Sequence, residues 1–178
     1  MIKILQLMPE ILTQHVIPIE LHYMNVRHLW GHNSEKWRKL GRQTREKQNY
    51  ICLACGRKVP HIEGDYLELH ENFTYDWENK IATIESMVCL CTKCHKYIHS
   101  SLLSILVRKG ELTEEYEAEV LARGDEILAK HNLKKQEIDM SRRNDETWCN
   151  RVWKLMYGGQ DLVPLLIEKR KKMSSATD

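Results

Sequence analysis

Two cysteine pairs constrain this 178-residue chain more than any other feature. Cys52-Leu53-Ala54-Cys55 and Cys91-Thr92-Lys93-Cys94 are both CxxC knuckles. Four thiolates on two knuckles can close a tetrahedral shell around zinc, with metal–sulfur bonds of about 2.3 Å. Such a shell makes two distant stretches of chain meet at one point. The stretch 56–90 between the knuckles is longer than an ordinary zinc ribbon allows, so it must hold folded structure of its own. The second knuckle runs into a helix, whose N-terminal dipole favours thiolate. The alternative for either pair is a redox CxxC or simple core cysteines. Cys89 and Cys149 read as buried thiols, although Cys89 lies two residues before Cys91 and offers a ligand swap.

Six cysteines without a secretory signal point to thiols and metal rather than disulfides. The N-terminus has Lys3, then Glu10, and no small-residue cleavage site, so the expectation is a cytoplasmic protein. No apolar run approaches the ~20 residues of a membrane span. The net charge of +2 is too mild to decide for or against nucleic acid. Its distribution says more. Between Ser34 and Lys58, the basic residues Lys36, Arg38, Lys39, Arg42, Arg45, Lys47, Arg57 and Lys58 face only Glu35 and Glu46. From Glu63 to Glu85 the sign reverses through Asp65, Glu68, Glu71, Asp76 and Glu78.

The patterning predicts an α+β protein in three parts. Residues 1–49 are an N-terminal segment ending in a basic helix from Ser34, its N-cap, to about Gln48, with Gly41 weakening its middle. Residues 50–108 are the zinc-binding part. Within it 66–71 and 85–91 read as strands, and 94–108 as a helix with Ile98, Leu102, Leu103, Ile105 and Leu106 on its apolar face. Residues 109–178 read as helical. An acidic helix capped by Thr113 runs to Lys130, where Gly124 is a candidate break. A helix over 145–157 carries Trp148, Cys149, Val152, Trp153 and Met156 on one side, Gly158-Gly159 turns, and a short helix leads to a basic tail.

His70 falls at the end of the first strand, and His95 directly follows the second knuckle. His99 lies four residues on, so both imidazoles project from one helix face. Three histidines on a strand and a helix would leave an open metal position, as catalytic metals require. A polar cluster or an inert second zinc site is the alternative.

The stretches Leu67-Glu68-Leu69-His70-Glu71 and Met87-Val88-Cys89-Leu90-Cys91-Thr92-Lys93-Cys94-His95-Lys96-Tyr97-Ile98-His99 resemble the ββα-metal (HNH) nucleases that carry a four-cysteine zinc site. The resemblance covers about residues 50–103. It implies a zinc-stabilised, treble-clef-like ββα-metal core with flanking helices and a mostly helical C-terminal half. In that family a strand ends in two adjacent functional residues: a ligand of the catalytic metal, then a general base that is usually His. His70 matches the first position, and Glu71 stands at the second. Ser86 stands where an Asn commonly orients the base. His95 and His99 match the metal positions on the helix. His70-Glu71 with Tyr75-Asp76 is also similar to a His-Glu-x-x-x-Tyr-Asp pattern in bacterial HNH-type proteins, and Asp76 is a second candidate base.

The resemblance implies an endonuclease acting on DNA. Structural Zn2+ would sit at Cys52, Cys55, Cys91 and Cys94, and a catalytic Mg2+, Mn2+, Ni2+ or Zn2+ at His70, His95 and His99. Lys36, Arg38, Lys39, Arg42 and Arg45 on the basic helix would contact phosphates. Glu71 is intrinsically a weaker base than His unless burial raises its proton affinity. A non-cleaving zinc module on the same frame therefore stands beside the enzyme. It would bind nucleic acid, or a protein through the acidic C-terminal helices.

Overall fold

The structure is a computed structural model, and it describes residues 5–14, 18–21, 24–31, 33–59, 66–135, 147 and 151–174. Strands β1 (Leu67–Asp76), β2 (Ile81–Cys91), β3 (Lys154–Tyr157) and β4 (Gln160–Asp161) form one sheet in the order β1-β2-β3-β4. The helices are α1 (Val26–Trp30), α2 (Glu35–Lys47), α3 (Thr92–Ile98), α4 (Ser100–Arg108), α5 (Glu114–Lys130) and α6 (Val163–Ser174). Pro9–Thr13 and Ile19–Leu21 are short 3-10 turns. The fold is α+β as expected. No helix among the described residues is long and apolar enough to cross a membrane.

The chain divides into two compact units. The first comprises Met1–Val16, Gly41–His70 and Met87–Glu137. Its apolar core gathers Ile11 and Leu12 with Leu53, Leu67, Val88, Leu90, Tyr97, Leu103, Val120 and Leu128. The first knuckle is a tight turn: the Gly56 amide donates to the Cys52 carbonyl at 2.9 Å and the Cys52 amide to the Arg57 carbonyl at 2.9 Å. Gly56 takes a φ of 72°, which glycine adopts without a Cβ penalty. Leu53 donates to the Cys89 carbonyl, fastening this turn to β2. The Gln48 side chain behaves like one more strand residue, donating to the Cys89 carbonyl at 2.9 Å and accepting from its amide at 2.8 Å.

Helix α5 begins where Thr113 accepts from the Tyr116 amide at 3.2 Å. Gly124 does not break it. A Cβ there would lie 2.0 Å from Tyr97 Cδ2, so the glycine is what lets the Tyr97 ring reach the helix axis. The Tyr97 hydroxyl donates to Asp125 at 2.5 Å.

The second unit comprises Ile17–Leu40, Glu71–Ser86 and Ile138–Asp178. Val26, Phe73, Ala82, Ile84, Trp153, Leu155, Leu162 and Leu166 are buried in it. Here β2 pairs in parallel with β3, placing Ile81 opposite Lys154 and Ala82 opposite Leu155. β3 turns through Gly158 and Gly159, both at positive φ, into antiparallel β4. Asp161 then accepts from the Val163 amide at 3.0 Å and starts α6. Lys169 of α6 donates to the His28 and Leu29 carbonyls at the end of α1.

Three sequence expectations are corrected. Both strands are longer than 66–71 and 85–91: Asn72, just past the first expected strand, donates to Ser86 Oγ at 3.4 Å, and the strands run on to Asp76 and from Ile81. The helix expected over 94–108 is two helices, divided at His99, whose backbone at φ −92° and ψ 41° leaves helical geometry. The helix expected over 145–157 gives way to a strand at 154–157, where pairing with β2 overrides the helical spacing of Trp153 and Met156. Trp148 and Cys149 lie outside the described residues, and β3 and β4 interrupt the mostly helical C-terminal half.

Candidate metal centres

The two knuckles bring Cys52, Cys55, Cys91 and Cys94 together, with all four Sγ atoms within 4.8 Å of one another. Cys55 Sγ and Cys91 Sγ are 4.0 Å apart. Tetrahedral bonds of about 2.3 Å imply sulfur–sulfur edges of roughly 3.8 Å, so the set fits a metal such as zinc. Cys52, Cys91 and Cys94 are buried, and Cys55 is half-buried. Cys89 is not in the group. Burial pushes its thiol up to about 12, which makes it an inert core residue.

A second group forms where β1 meets α3. One ring nitrogen from each of His70, His95 and His99 lies within 4.8 Å of the others. Ring centroids are 5.2 Å apart for His70–His95, 5.2 Å for His70–His99 and 4.7 Å for His95–His99. Burial, then the charges of His95 and His99, hold His70 well below the usual imidazole range. Burial pushes His99 down to about 4. Neutral imidazoles are the form a metal requires.

Two residues that the sequence reading passed over complete this group. Glu68 Oε2 lies 3.0 Å from His95 Nδ1. Burial pushes the Glu68 carboxyl up, but the His95 hydrogen bond and the nearby His95, Lys96 and His99 charges hold it below the usual carboxylate range. A proton held on Nδ1 leaves the His95 Nε2 lone pair for a metal. His70 Nε2 donates to Gln14 Oε1 at 2.9 Å, the tautomer that keeps the lone pair on Nδ1. Glu68 had a signal, since it stands two residues before His70 on an alternating strand and so shares its face. Gln14 had none, because it arrives from the N-terminal segment.

The two candidate bases, Glu71 and Asp76, both lie on β1. Strand alternation puts Glu71 on the face opposite His70. Its carboxylate accepts from the Val26 amide at 2.8 Å, at the start of α1. Burial pushes the Glu71 carboxyl up to about 7, against the downward pull of the Val26 and Arg27 amides. Asp76 is exposed and accepts from the Asn79 amide at 3.0 Å and Asn79 Nδ2 at 2.7 Å. It serves the turn after β1.

On α2, Arg38, Lys39 and Arg42 form an exposed stripe at helical spacing. Lys36 lies 4.0 Å over the Trp30 ring. Arg45 is half-buried and donates to the Leu67 carbonyl at 3.3 Å, so its guanidinium braces β1. Comparison with protein-family models, curated proteins and solved structures finds no match to the chain.

Proposed function

We propose that this chain is a metal-dependent endonuclease of the HNH kind, cleaving phosphodiester bonds of DNA. One observation carries the reading: His70 from β1 and His95 and His99 from α3 and its C-cap converge, and the same helix carries Cys94 of the four-cysteine group. Three imidazoles leave room for substrate in the coordination shell. A divalent ion such as Mg2+, Mn2+, Ni2+ or Zn2+ held there would polarise the scissile phosphate and stabilise the leaving oxygen. Glu68 and Gln14 orient two of the imidazoles, and Arg38, Lys39 and Arg42 are exposed for phosphate contacts. Structural Zn2+ belongs at the four cysteines. Glu71, with a carboxyl near 7, has the proton affinity that a base needs at neutral pH.

The hydrogen bond from the Val26 amide to Glu71 favours a second reading. A carboxylate engaged with the amides that start α1 already has a structural role. That supports a non-cleaving zinc module on the same frame, which binds nucleic acid or a protein partner. The test is cleavage of double- and single-stranded DNA across Mg2+, Mn2+, Ni2+ and Zn2+, with His95→Ala as control. Cleavage lost in His95→Ala, with the four-cysteine metal retained, supports the nuclease. DNA binding without cleavage under any of the ions supports the module, and neither activity would sink both DNA readings.

A further inference from the structure

Helix α5 approaches the four-cysteine group through a cation. Arg123 Nη2 donates to Cys55 Sγ at 3.7 Å. Arg123 Nε is buried without a hydrogen-bond partner among the described residues. Cys55 is the half-buried member of the set, so the guanidinium contacts its most accessible thiol. One turn earlier on α5, Glu119 pairs with Lys93, which lies inside the second knuckle.

The chemistry of the donor set gives this contact a purpose. Four thiolates around one divalent cation carry net negative charge. Each thiolate keeps a nucleophilic lone pair, and the most exposed one is where a competing chelator, alkylating agent or proton first attacks. A charge-assisted hydrogen bond from a guanidinium withdraws electron density from that sulfur and fixes its orientation. Arg123 is far outside the segment that holds the knuckles, so this contribution comes from the acidic C-terminal helix.

We propose that Arg123 is a positioning residue of the four-cysteine metal centre, shielding Cys55 and slowing metal loss. The inference rests on metal at the four cysteines and is independent of the nuclease reading. The experiment uses the zinc-loaded full chain. Zinc transfer to 4-(2-pyridylazo)resorcinol is followed in time, and thiol alkylation by iodoacetamide is mapped by mass spectrometry.

Arg123→Met should release zinc about 10- to 100-fold faster, with Cys55 the first cysteine alkylated. Arg123→Lys keeps the charge without the fork and should fall between wild type and Arg123→Met. Asp125→Ala, which removes the hydroxyl partner of Tyr97 from α5 but touches no cysteine, should stay near the wild-type rate. Wild-type release from both Arg123 variants would overturn the proposal. So would equal acceleration by Asp125→Ala, because the effect would then be loosening of α5. A wild-type chain that retains no zinc overturns it too.

Discussion

The Glu68 carboxylate lies 3.0 Å from His95 Nδ1 and fixes which nitrogen of that imidazole is left for a metal. Carboxylate–histidine–metal chains of this kind typically contribute about 10- to 100-fold to metal affinity. Glu68→Ala should therefore weaken ion binding at His70, His95 and His99 by that order, as read by calorimetric titration, while the four-cysteine metal stays in place. Unchanged affinity would remove Glu68 from the site.

A four-thiolate shell couples metal binding to folding. Purified protein should carry at least one tightly held zinc per chain by elemental analysis, and His95→Ala should keep it. Cys52→Ser should lose the folded state by circular dichroism. A folded Cys52→Ser protein without zinc would contradict this coupling.

Glu71 supplies a stability prediction with a definite sign. Its folded-state carboxyl is raised from 4.5 to about 7, so the native state binds more protons than the unfolded chain between those values. The resulting stabilisation is fully present below the unfolded value and is lost as pH rises through about 7. Glu71→Gln cannot ionise. Relative to this variant, wild type should lose on the order of 1 kcal/mol between pH 6 and pH 8.5 in urea unfolding. Parallel pH profiles for the two proteins would contradict the shift.

Gly124→Ala should be costly despite the good helix propensity of alanine. The new Cβ would meet the Tyr97 ring at 2.0 Å, and that ring is buried and held by Asp125. Overpacking of this sort costs roughly 1–3 kcal/mol or more. An unchanged urea midpoint would show that the ring moves aside freely.

If the α2 stripe contacts phosphates, affinity for DNA should fall steeply with salt, and reversing Arg38 and Arg42 to Glu should flatten the slope. Arg45→Ala should act differently. It removes the bond to the Leu67 carbonyl and lowers stability more than the salt slope. Salt-insensitive binding by wild type would point to a protein partner instead.

The candidate metal ligands were legible in the sequence because ligand chemistry is written in residue type and short spacing. Each CxxC puts two thiols on one turn, and His95 and His99 are spaced by one helical turn, the His99 amide donating to the His95 carbonyl at 3.2 Å. The caps at Ser34 and Thr113 were legible for the same local reason. Residues 154–157 were not, since Trp153 and Met156 fit a helical period while the deciding bond partners sit on β2. The break at His99 and the role of Gly124 were equally hidden, because both depend on what packs against the helix.

The sequence by itself determined which side chains can bind a metal and which elements carry them. Only the tertiary structure decided what each of those side chains meets. Glu68 reaches His95, Gln14 reaches His70 and Arg123 reaches Cys55 across chain separations that no local pattern encodes. Glu71 shows the physical reason most directly. Local sequence makes it an ordinary carboxylate at the end of an alternating stretch. Desolvation is a property of the surrounding atoms, and burial beside the Val26 amide raises its proton affinity while turning it toward α1.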